Sequence, residues 1–93
     1  MRQMINAPKP WTHAGGNRLN HDGANIRYEH PDGLEAYIEA TNSPDEEQLI
    51  FRPAVFDGNE QIIEYPPRIL DKNTAIERFE EMMKKNSSTT DSK

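Results

Sequence analysis

A tight turn with matching strands on either side is the feature that most constrains the fold. His30-Pro31-Asp32-Gly33 places proline at the second turn position and glycine where the backbone needs a positive φ, a pattern typical of a three-residue hairpin loop. Residues 24–30 and 34–41 alternate apolar and polar side chains with the two-residue period of half-buried strands. The sequence therefore predicts an antiparallel hairpin over 24–41.

The register of this hairpin follows from its turn. If His30 pairs with Leu34, the apolar side chains of both strands meet on one face, whereas a slip of one residue would move all of them to the other face. The same register sets Arg27 opposite Tyr37 on the polar face. The predicted apolar pairs are Tyr28 with Ala36, Ile26 with Ile38 and Ala24 with Ala40.

A second hairpin is predicted from residues 48–56 and 60–65. Asp57-Gly58-Asn59 supplies turn residues between them, and a three-residue loop at this point would set Ala54 opposite Ile62. A two-residue Asp57-Gly58 turn is the alternative, and it would shift this register by one residue. Two consecutive prolines then end the fourth predicted strand, because proline cannot donate a hydrogen bond to a neighbouring strand.

The last predicted element is an amphipathic helix that begins near Thr74 and ends at Asn86. Thr74-Ala75-Ile76-Glu77 fits a capping box, in which the hydroxyl and carboxylate side chains satisfy free amides of the first turn. An extended segment precedes the helix, and we expect Ile69 or Leu70 to anchor it. The apolar stripe that recurs at helical spacing consists of Ile76, Phe79, Met82 and Met83.

These elements predict an α+β fold, a four-stranded antiparallel β-meander of two hairpins packed by one C-terminal α-helix. Residues 24–86 form the single ββββα domain, since the apolar side chains concentrate there. Residues 1–23 hold prolines and glycines without a sustained period, so we predict an irregular N-terminal arm that Trp11 pins to the sheet. Residues 87–93 are polar and are predicted to be a disordered tail.

Composition argues against several functional classes. The chain has no cysteine, which excludes a disulfide framework, a thiolate zinc site and a thiol nucleophile. A net charge of −5 with scattered basic residues argues against nucleic-acid binding, which favours a basic patch. No apolar run is long enough to cross a membrane, and no secretory signal is visible, so we expect a cytoplasmic protein. No catalytic or cofactor motif appears, so we expect no enzymatic activity and no bound cofactor or metal.

The third predicted strand is apolar on both faces. Leu49, Phe51 and Val55 take one face, and Ile50 and Phe56 take the other. Because a single helix covers only one face of a sheet, the second face needs another cover. The N-terminal arm with Trp11, a protein partner or a small ligand could each supply it.

We therefore expect a small interaction module whose partner is a protein, including a second copy of this chain in a homodimer. An apolar sheet face and an unpaired edge strand both favour such contacts. The candidate interaction surface consists of Trp11, Tyr37, Ile50, Arg52, Phe56 and Ile62.

Two alternatives stay open on sequence alone. The first is a nucleic-acid-associated regulator with a local arginine patch. The second is a metal or small-ligand binder built on N-terminal histidines, although their spacing matches no common ligand pattern. The arginines are Arg18, Arg27, Arg52 and Arg68, and the histidines are His13 and His21, with His30 nearby.

Overall fold

One antiparallel sheet and one helix make up the fold in a computed structural model of the chain. The structure describes residues 5–43, 48–59 and 61–87, with the backbone alone for Ser87. Within these residues the sheet has five strands in chain order, so the first and last strands are its edges. The elements are β1 (Thr12–Gly15), β2 (Asn25–Glu29), β3 (Glu35–Asn42), β4 (Leu49–Phe56), β5 (Ile62–Glu64) and α1 (Lys72–Ser87).

The β2–β3 hairpin has the predicted turn and register. The His30 amide donates to the Leu34 carbonyl at 2.9 Å, and Gly33 has a φ of 92°. A positive φ is the conformation that glycine adopts at no steric cost, so the turn residue and its geometry agree. The cross-strand pairs include Ile26 with Ile38, Tyr28 with Ala36 and Arg27 with Tyr37.

The strand count corrects the prediction of a four-stranded meander with an irregular arm. β1 lies inside residues 1–23 and pairs antiparallel with β2, with Thr12 opposite Glu29 and an irregular register between His13 and Gly15. Its sequence, THAG, has no apolar alternation, so local pattern does not mark it. The strand forms because pairing with β2 and burial of its flanks order the arm.

The predicted register of the second hairpin is wrong. The Asp57 amide donates to the Gln61 carbonyl at 3.0 Å, and the Asp57 carboxylate accepts a hydrogen bond from the Gln61 amide at 3.1 Å. An aspartate side chain that bonds the backbone ahead of it stabilises a turn, and here it moves the loop one residue along the chain. As a result Phe56, rather than Ala54, lies opposite Ile62.

The extended segment after β5 is anchored by Ile69, one of the two predicted anchors. Phe51 and Ile69 exchange two backbone hydrogen bonds, of 2.8 and 3.1 Å, and the Ile69 side chain packs against the core. Leu70 stays largely exposed. The chain therefore follows the edge of β4 before it turns into the helix.

The helix begins earlier than predicted. Its cap is Asp71, whose Oδ2 accepts hydrogen bonds from both the Thr74 amide and the Thr74 hydroxyl, each at 2.8 Å. Thr74 is thus a residue of the first turn, and the predicted capping box is wrong. The helix extends one residue beyond Asn86, to Ser87, and residues 88–93 of the predicted tail lie outside the described residues. The described helix is not long and apolar enough to span a membrane.

The cap predicts an acid-dependent loss of stability. The Thr74 side-chain hydrogen bond, together with its backbone hydrogen bond, lowers the pKa of the Asp71 carboxyl. The ionised Asp71 cap therefore contributes its full share of folding stability above the ordinary aspartate pKa, about 4. This share is lost as the pH falls through the lowered pKa. We expect Asp71→Ala to lower the thermal midpoint at neutral pH and Asp71→Asn, which keeps an acceptor, to lower it less. Thermal unfolding followed by circular dichroism tests this, and a deficit in Asp71→Ala that persists unchanged at pH about 2 would contradict it.

The core lies between the sheet and the helix and includes the arm. Phe79 and Met83 are fully buried in the middle of this layer. The Trp11 indole N–H donates to the Met83 carbonyl, near the end of the helix, at 2.8 Å. Trp11 therefore anchors the arm on the helix side of the sheet. The arm residues buried in the core are Ile5, Trp11 and Leu19.

Candidate interaction surface

The sheet has a second face that the described helix does not cover, which we call the open face. Side chains alternate along each strand, so the neighbours of the core residues point to this side. Because cross-strand partners share a face, the residues of the open face can be assigned on every strand from β2 to β5. The open face consists of Asn25, Arg27, Glu29, Glu35, Tyr37, Glu39, Thr41, Ile50, Arg52, Ala54, Phe56 and Ile62.

An apolar strip runs across the middle of the open face. The rings of Tyr37 and Phe56 lie 5.3 Å apart at 41°, and Ile62 lies opposite Phe56 on β5. Ala54 lies opposite Tyr37 and is fully buried beneath these larger side chains. Burial raises the pKa of Tyr37, and the nearby Glu39 carboxylate raises it further, so the phenol stays neutral. The strip is therefore an uncharged surface of two aromatic rings and an aliphatic side chain.

Charges of both signs surround the apolar strip. Arg27 lies opposite Tyr37 on one side of the strip, and Arg52 lies opposite Glu39 on the other side. The Arg52 Nε is buried and has no hydrogen-bond acceptor among the residues that the structure describes. A desolvated donor without an acceptor is unfavourable, so a carboxylate brought close to this guanidinium would be stabilising.

The apolar strip continues onto the sheet edge, which we call the β5 edge. The large hydrophobic side chains exposed in the described chain are Ile62 at 43%, Ile63 at 43%, Tyr65 at 83% and Leu70 at 48%, all within nine residues. Val55 pairs with Glu64 while Phe56 pairs with Ile62, so one residue of β5 is extra. Because this bulge breaks the alternation, two consecutive isoleucines are both exposed.

Five of the six residues predicted for the interaction surface lie on the open face. Four of these five, Tyr37, Arg52, Phe56 and Ile62, are not buried. The prediction did not include Ile63, Tyr65 or Leu70. The exposure of Ile63 goes with the bulge, and the two prolines after Tyr65 are a sequence signal of an irregular edge.

The remaining two predicted residues, Trp11 and Ile50, are corrections because both are buried within the single chain. Trp11 precedes β1 and lies on the helix side, so the arm does not bring it to the open face. Ile50 belongs to the open face, where it lies opposite Thr41 on β3, but it is only 4% exposed.

The histidines take separate positions. The His13 ring lies 5.4 Å from Tyr28, and its Nε2 hydrogen-bonds the Gly16 carbonyl. His21 bonds the carbonyl of its own neighbour, Asp22, in the turn before β2. Across residues 5–43, 48–59 and 61–87, no group of three histidine, aspartate or glutamate side chains is placed to hold a metal ion.

The arginines do not form a single patch. Arg27 and Arg52 share the open face. Arg68 lies in the segment after β5 and donates to the Ser43 hydroxyl at 3.5 Å, whereas Arg18 is exposed on the arm. Two of the four arginines of the predicted patch are therefore brought together.

Comparisons with known proteins identify no relative. A scan against protein-family models found no match, and neither the curated proteins nor the solved structures include one that is significantly similar to this chain. The geometry of the open face and the β5 edge thus has to carry the functional interpretation.

Proposed function

We propose that the protein is a small non-enzymatic interaction module that forms a homodimer through its open face and the adjoining β5 edge. The observation that carries the proposal is the set of apolar side chains outside the core, which includes Tyr37 and Phe56 on the open face and Ile62, Ile63 and Tyr65 along the β5 edge. Exposed apolar patches of this kind mark sites of protein contact. No helix of the described chain lies over this surface, and the cover that we propose is a second molecule.

The charges around the strip favour a second copy as that molecule. Arginines and glutamates occupy the same face, so a two-fold rotation can bring Arg52 of one copy near Glu35 or Glu39 of the other. Such an arrangement gives register and specificity to an apolar contact. The net charge of −5 opposes non-specific association, so self-recognition depends on this local complementarity.

The sheet edge contributes less than the face. β5 is three residues long, carries a bulge, and is followed by Pro66 and Pro67, which lack amide donors. These features limit strand-to-strand pairing and protect the edge from open-ended association. We therefore place the apolar strip at the centre of the dimer contact and the β5 edge at its rim.

A cytoplasmic location belongs to the same proposal. Its support is the sequence, which has no cysteine and so suits a reducing compartment.

The test of the proposal is a charge placed in the strip. Ile62→Glu puts a carboxylate opposite Phe56, and burial of an unpaired charge opposes association. We expect the dimer dissociation constant to rise by at least about tenfold, which is 1.4 kcal/mol. Asn73→Glu, on the exposed surface of the first helical turn, changes the net charge equally and should leave the constant unchanged. Sedimentation velocity over a concentration series measures both, and equal behaviour of the two variants would refute the proposed interface.

The nucleic-acid alternative keeps one supporting observation. Arg27 and Arg52 flank Tyr37 on an exposed sheet face, an arrangement that can stack a base and contact phosphates. Glu29, Glu35 and Glu39 on the same face weigh against it. If the alternative holds, single-stranded oligonucleotides should be retarded at low salt by the native chain and less by Arg52→Gln. The alternative fails if the native chain causes no retardation.

A further inference from the structure

A buried histidine outside the proposed interface joins the first hairpin to the arm. His30 is 7% exposed, and its Nδ1 accepts a hydrogen bond from the Asp32 amide at 3.0 Å. Because an acceptor nitrogen carries no proton, this bond assigns the proton to Nε2 and makes the imidazole neutral. The Nε2 is buried without a hydrogen-bond partner among the described residues.

The same imidazole contacts the residue that anchors the arm. The rings of His30 and Trp11 lie 4.9 Å apart at 71°, and the Trp11 indole is in turn bonded to the Met83 carbonyl. The arm, the hairpin turn and the end of the helix therefore meet at one buried contact, which we call the arm lock. Its two side chains are His30 and Trp11.

We infer that the arm lock is acid-sensitive and that protonation of His30 releases the arm from the sheet. The incoming proton must bind Nδ1, since Nε2 already carries one. It converts the acceptor of the Asp32 amide into a second donor and places a positive charge in a buried site. Both effects raise the free energy of the closed contact, and exposure of the imidazolium to water relieves them.

The charged groups around His30 offset only part of this cost. The Asp32 carboxylate lies 3.8 Å from Nδ1, but it is exposed to solvent and therefore strongly screened. The arm places the uncharged Trp11 ring against His30. The helix takes part through the Met83 carbonyl, which accepts the hydrogen bond from the Trp11 indole. Among the described residues, no other charged side chain forms an ion pair with His30.

The test uses Trp11, the single tryptophan of the chain, as its reporter. Acidification of the full chain from about pH 8 to about pH 5 spans the range in which histidines change charge. We expect the Trp11 emission maximum to move to longer wavelength. The protection of its indole N–H from exchange, measured relative to free indole at the same pH, should fall at least about tenfold, while β3 and β4 amides stay protected. Emission intensity is not used, because an imidazolium beside an indole quenches it without any movement.

Variants and imidazole signals make the test decisive. His30→Asn keeps an acceptor for the Asp32 amide and cannot be protonated in this range, so it should lose the acid step. His13→Asn and His21→Asn, at exposed sites, should retain it. In the native chain, the imidazole resonances of His30 should change together with the indole exchange. The inference is overturned if His30→Asn opens as the native chain does, or if the indole stays protected once His30 is protonated.

Discussion

Replacing Phe79 with alanine is expected to destabilise the fold by about 3–5 kcal/mol, a large part of the stability that a domain of this size has. Phe79 is fully buried in the centre of the core, and its ring lies 5.9 Å from that of Tyr28 on β2. The substitution removes the contact between the helix and the sheet where no other side chain can fill the space. Urea denaturation followed by far-ultraviolet circular dichroism measures the loss.

The neighbouring residue provides the control for this prediction. Arg78 is exposed on the same helix, and its ion pair with Glu81 is long, at 4.0 Å. Arg78→Ala should therefore change the unfolding free energy by no more than about 0.5 kcal/mol. If Phe79→Ala were no more harmful than Arg78→Ala, the core would not lie where the structure places it.

The second large effect is expected from Gly16→Ala, which should detach β1 from β2. Gly16 has a φ of 78°, and an added Cβ would overlap the Asn25 carbonyl oxygen and lie 2.9 Å from the Ile26 Cα. These are backbone atoms that cannot rotate away, so the strands must separate. We expect a loss of about 3 kcal/mol or more, with exposure of Trp11 seen as a shift of its emission to longer wavelength.

Gly23 is the matched control, because it has a similar φ of 88° but no atom within 4 Å of an added Cβ. Gly23→Ala should cost only the backbone penalty of the left-handed conformation, about 1–2 kcal/mol, and should leave Trp11 buried. Equal losses in the two variants would show that β1 does not pack closely against β2.

The first hairpin could be predicted because its local signals agree. Pro31 and Gly33 suit the turn, and the side chains on either side alternate so that one register alone unites the apolar ones. β1 could not be predicted in this way. Its four residues contain no apolar alternation, and its order comes from contacts with β2 that are distant in sequence.

The errors in the second hairpin and the helix start have a common cause, namely aspartate side chains that bond the backbone. Asp57 closes the turn one residue later than expected, and Asp71 caps the helix before Thr74 can. At the hairpin loop and at the helix start, the sequence allowed more than one position for the side chain that bonds the backbone. Local sequence did not decide between these positions.

The grouping of the open-face residues could be predicted more readily than the side of the sheet on which Trp11 lies. Strand alternation was enough to group Tyr37, Arg52 and Phe56 with one another. The side of the sheet on which Trp11 lies depends on the path of the arm. Such paths are set by tertiary packing and leave no periodic signal in the sequence.

Sedimentation equilibrium of the native chain is the most direct test of the claim that the open face pairs two copies. At micromolar concentration and near-physiological salt, we expect a mass approaching twice the 10.7 kDa of the single chain, falling on dilution. A mass of 10.7 kDa at every concentration, up to the limit of solubility, would contradict it.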